Sequence, residues 1–106
     1  MPKYLLHGAY SADGAKGLLK DGGSKRRAAA RTLVESLGGK MEALYFAFGD
    51  TDVIAIIDMP DAASAAAASL AIGASGALKG NLTVLLTPEE LDQAAKKSVS
   101  YTPPGR

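Results

Sequence analysis

This chain of 106 residues contains no cysteine. Disulfides and thiolate chemistry are therefore excluded, which fits a cytoplasmic protein kept under reducing conditions. His7 is the only histidine, so a metal site built on imidazole and thiolate has too few ligands. Neither sign of charge dominates: Lys plus Arg is 12, Asp plus Glu is 11, and the net charge is +1. That balance gives no reason to expect nucleic acid or an anionic membrane as partner. No apolar run is long enough to span a bilayer, and no leader-like stretch follows Met1-Pro2-Lys3. Phosphate-loop, nucleophile-elbow and RNA-binding signatures are missing too, so no cofactor is expected.

What is present is 47% apolar residues, enough for a core in one domain. The chain is organised around Leu44 to Asp61, where two apolar runs flank the polar break Gly49-Asp50-Thr51-Asp52. That pattern predicts a β-hairpin, with Phe46 and Phe48 alternating against Tyr45 and Ala47. In the second strand Val53, Ala55 and Ile57 occupy one face, and Ile54 and Ile56 the other. Both faces are apolar, whereas a strand wetted on one side would alternate with polar residues. Helices can cover one face. The same face of a second copy is the simplest cover for the other, so a homo-oligomer of at least two chains is expected.

The remaining elements follow from local signals. Lys3 to Tyr10 reads as a strand with Tyr4, Leu6, Gly8 and Tyr10 on one side. Ser11 is a good N-cap for a short helix weakened by Gly14 and Gly17. Ser24 is placed to cap a second helix, whose stripe Ala30, Leu33, Val34, Leu37 has core spacing and whose end is marked by Gly38-Gly39. Asp61 is placed to cap the alanine-rich helix Ala62 to Ala74, and Asn81 to Leu86 reads as a fourth strand. Thr87-Pro88-Glu89-Glu90 has the form of a capping box. Residues 1–98 would form the domain and 99–106 an extended tail. The order βαββαβ plus one helix predicts an α+β, ferredoxin-like fold: a four-stranded antiparallel sheet with helices on one face.

Gly38-Gly39, Gly49-Asp50-Thr51-Asp52 and Pro60-Asp61, in that order and spacing, resemble the GYD domain family of small, mostly prokaryotic proteins. The resemblance spans the first strand to the last helix. It departs from the family's name motif at Thr51, where the family has tyrosine. It implies a dimeric α/β barrel in which two ferredoxin-like units pack sheet against sheet. It implies no particular activity.

The chemistry-bearing residues are few. His7, with Tyr10 and Tyr45 as hydroxyl donors, is the candidate acid/base group of a cofactor-independent enzyme. Arg27 and Asp58 are candidates for binding a small ligand. Gly49, Asp50 and Asp52 read as turn chemistry, the alternative being a cation site that lacks further oxygens. Lys25, Arg26, Arg27 and Arg31 crowd the first turns of a helix against its dipole. They form a solvated basic face or an anion site. Two functional readings follow: a non-enzymatic module that binds a small, largely apolar molecule or simply assembles, and an enzyme using His7 on a small apolar or aromatic compound. The second requires a cavity that His7 faces.

Overall fold

The computed structural model describes residues Met1–Arg106. In chain order they form β1 (Lys3–Tyr10), α1 (Ala12–Asp21), α2 (Gly23–Ser36), β2 (Lys40–Phe46), β3 (Val53–Asp58), α3 (Ala62–Ala74), β4 (Leu78–Leu85) and α4 (Pro88–Ala95). The four strands make one sheet in the order β2-β3-β1-β4. All neighbouring strands are antiparallel. This is the ferredoxin-like arrangement expected from the sequence, with two helices in the first crossover.

Each boundary has a local cause. The Ser11 hydroxyl accepts from the Gly14 N–H at 3.1 Å and so caps α1. The Ser11 N–H and hydroxyl both reach the Ala77 carbonyl, at 2.9 and 3.3 Å, which ties α1 to the approach to β4. α2 differs from expectation at its start. Gly22 stands at the N-cap without a side-chain bond, and Ser24 lies inside the helix. Its end is a Schellman motif: Gly39 N–H donates to Val34 C=O and Gly38 N–H to Glu35 C=O, both at 3.0 Å. Gly38 sits at φ 80°, where a Cβ would be strained.

β2 begins at Lys40, four residues before the apolar run that marks it in the sequence. The register shifts between Met41 and Ala43, so Glu42 is the extra residue of a β-bulge. The bulge lets Met41, Leu44 and Phe46 all pair with the helix-facing residues Ile57, Ala55 and Val53. Phe48 lies beyond the strand and is fully exposed, so it does not share a strand face with Phe46 as expected. The connection to β3 is tied to β1. Asp52 donates its N–H to Gly8 C=O at 2.8 Å, and its carboxylate accepts from Tyr10 N–H at 2.9 Å.

The core lies between the sheet and the helices. Ile57 and Met59 are fully buried there, beside Tyr4, Leu6, Val34, Met41 and Ala65. The opposite face of the sheet has no cover in the single chain, and Leu5, His7, Ile54 and Ile56 are half-buried there. Lys3 bridges Asp58 (2.8 Å) and Glu42 at one corner of that face. Hydrogen bonds to Asp58 and then Glu42 hold its ammonium above the usual lysine range. α4 carries its full capping box but buries no side chain. With Leu91, Val99 and Tyr101 exposed, this end leaves the body of the fold. The chain is 55 Å long with a radius of gyration of 16.7 Å, against about 13 Å for a compact chain of this length.

The cap of α3 gives a pH-dependent signature. Asp61 accepts the Ser64 N–H at 2.7 Å. That bond, followed by one from the Ser64 side chain, holds the carboxyl below its ordinary value of 3.8. A depressed folded pKa stabilises above the unfolded value and loses that contribution as pH falls through the folded one. Asp61→Asn keeps a capping acceptor without titrating. Denaturation of the two proteins at pH 6 and pH 2.5 should therefore show the gap between them shrinking at the acid end.

Candidate functional site

The helix layer does not fill the space above the sheet. Between α2, α3 and the inner face lies a cavity of about 310 Å³. Its origin is in the sequence. Ala29, Ala30, Ala55, Ala71 and Ala77 all line it, and alanine supplies helix propensity but little volume. Arg26, Ala29, Ala30 and Leu33 fall at i, i+3, i+4 and i+7 along α2, so one stripe of that helix forms a wall. β1 and β2 contribute Leu6, Tyr10, Leu44 and Phe46 to the floor, and Ile72 and Ser75 come from the far side.

The lining is apolar except for two of its 15 residues, Arg26 and Ser75. Arg26 is the only charged one. Its Nη1 lies 3.7 Å from an Asp21 oxygen, and Lys25 Nζ lies 3.7 Å from the other. One carboxylate is therefore shared by two cations, both beyond hydrogen-bond distance. The Tyr10 hydroxyl is partly buried. Burial pushes its pKa up, the Arg26 guanidinium opposes that rise, and Asp52 adds to it. Tyr10 therefore stays a neutral donor at pH 7.

A family model for the GYD domain matches residues 4–95. The chain belongs to the GYD domain family. A search of curated proteins finds no match. The matched span of this GYD domain runs from Tyr4 in β1 to the end of α4 and includes every residue that lines the cavity.

The candidate residues divide between the two faces of the sheet. Tyr10 lines the cavity. His7 lies on the other side of β1, on the open face, with its Nε2 3.5 Å from Thr83 Oγ1 on β4. Tyr45 is exposed at 71% and pairs with Ile54, also on the open face. Asp58 is held by Lys3. Arg27 is exposed on α2, one position off the stripe that faces the cavity. Asp52 is engaged by the Tyr10 amide, Asp50 is exposed, and Gly49 takes φ 118° in the turn. His7 and Tyr10 are thus separated by the sheet. Within the basic cluster sequence reasoning singled out Arg27 as a ligand contact, whereas Arg26 is the member that lines the cavity. The signal that finds it is its helical phase with Ala30 and Leu33.

No helix is long and apolar enough to cross a membrane.

Proposed function

We propose that this GYD domain is a small-molecule-binding module that takes a largely apolar ligand into the cavity between α2, α3 and the sheet. The observation that carries this reading is the cavity itself. Its floor of Leu6, Val53 and Ala55 is buried while its rim, with Arg26 and Ser75, is exposed, so a ligand has a way in, and its volume of about 310 Å³ lies within the range of ligand sites. The module works as a homodimer, open face against open face. Leu5, Ile54, Ile56, Ala43 and Leu85 make an apolar centre for that contact, with the Lys3–Asp58–Glu42 cluster at its corner. His7 lies across the sheet from the cavity and takes no part in binding there; only a second copy would enclose it.

Naphthalene, rigid, neutral and of matching size, is a suitable first probe. Methyl NMR should show shifts at Leu6, Leu33, Leu44 and Ile72 on titration. Ala30→Leu puts a larger side chain into the wall and should abolish those shifts while leaving the fold intact by circular dichroism. Shifts confined to Leu5 and Ile56, or none at all, would place the ligand site elsewhere.

A further inference from the structure

We propose that the ligand this cavity is built for is an amphipathic monocarboxylate of about ten non-hydrogen atoms, its carboxylate held by Arg26 and its apolar body lying between α2 and α3. This rests on the reading of the cavity as the binding site. The size follows from volume: at about 30 Å³ per water-sized group, the space holds on the order of ten such groups.

The charge follows from what lines the space. Arg26 brings a positive charge to the wall; its one acidic neighbour, Asp21, lies outside the lining at 3.7 Å and is shared with Lys25. An amine-bearing ligand would meet repulsion that the shared Asp21 carboxylate offsets only in part. A guanidinium offers a planar fork of donors that matches the two oxygens of one carboxylate. Asp21 does not use that fork. It lies 3.7 Å away, and Lys25 competes for it at the same distance. The protonated Tyr10 supplies a further hydroxyl donor on the same lining, whereas the Ser75 hydroxyl is already spent on the Ile72 carbonyl at 2.6 Å. A single guanidinium and one neutral hydroxyl suit a monoanion better than a phosphate dianion, which is usually met by several backbone N–H groups.

The position of Arg26 points the same way. α2 begins at Gly23 and has no acid in its first turn and no side-chain cap. Lys25, Arg26 and Arg27 all stand near its positive end, where each is disfavoured by the helix dipole. All three are exposed, and Lys25 and Arg26 both lie 3.7 Å from Asp21. Of the three, Arg26 alone lines the cavity, at its solvent-exposed edge. A bound carboxylate there would offset both the side-chain charge and the end of the dipole.

Calorimetric titration of the full chain with octanoate, 1-octanol and octylamine tests this. Octanoate should bind about tenfold or more tighter than octanol, as expected for a charge-assisted bidentate contact, and octylamine weakest of the three. Arg26→Gln should erase the preference, with octanoate falling to the level of octanol and octanol unchanged. Arg27→Gln, one residue along, should leave all three as in the wild type. Equal binding of octanoate and octanol to the wild type, or a preference surviving in Arg26→Gln, would overturn the carboxylate assignment while the cavity remains a binding site. Failure of all three ligands would overturn the cavity reading as well.

Discussion

Gly14→Ala should destabilise the fold by about 2–3 kcal/mol, while Gly17→Ala, one turn away in the same helix, should stabilise it by about 0.5–1 kcal/mol. Both substitutions add one methyl group to α1, and helix propensity favours both. The difference is tertiary. A Cβ on Gly14 would overlap the carbonyl oxygen of Ala77, whereas a Cβ on Gly17 meets nothing within 4 Å. The obstacle at Gly14 is backbone, so no side chain can rotate away from it. That carbonyl is also held by the Ser11 N–H and hydroxyl. α1 cannot lift without breaking those bonds. Equilibrium denaturation of the two variants reads the sign directly. A neutral Gly14→Ala would mean that α1 does not rest on Ala77.

The second large effect separates folding from assembly along one strand. Ile57 is fully buried under the helices. Ile57→Ala should cost about 3–4 kcal/mol, as expected for a large side chain lost from a closed core, and the loss should not depend on protein concentration. Ile56 points the other way, to the open face. Ile56→Asp should keep the circular dichroism of the wild type and shift the self-association constant by a hundredfold or more, about 3 kcal/mol, because two carboxylates would be buried in an apolar contact. Sedimentation of wild type and variant at micromolar concentration measures this. A wild type that sediments as a monomer would remove the dimer from the proposal and leave the cavity untouched.

Three of the four helix caps were legible in the sequence, the exception being α2, where Gly22 and not Ser24 holds the N-cap. Ser11, Asp61 and the box Thr87–Glu90 each bond as their residue types require. Such motifs depend on neighbours three residues away, which a linear reading captures. The two faces of β1 and β3 were legible for the same reason, since strand alternation is local. The bulge at Glu42 was not. It depends on what the partner strand presents, and it carries β2 four residues farther back than its apolar run. Gly14 read as a weak point of α1 because its reason lies at Ala77, in a segment far along the chain. The cavity was hidden most completely. Alanines spread over α2, β3, α3 and the approach to β4 each looked like ordinary helix or strand residues, and the missing volume arises only where they converge. Arg26 was visible only as one member of a basic run, because its separation from Arg27 is a matter of 100° around a helix axis.

α3 has a further property that its composition brings about. Ala65 and Ala68 are the residues it buries completely, and the positions beside them, Ala66 and Ala67, are the same residue. From Ala65 to Ala68 four consecutive residues are identical, so no side chain larger than a methyl group fixes that stretch. What pins it is the Asp61 cap at one end and Ile72 near the other, where it meets the core. Between those anchors the helix owes its place to the close contacts of Ala65 and Ala68, and a larger residue at either would lift it off the sheet.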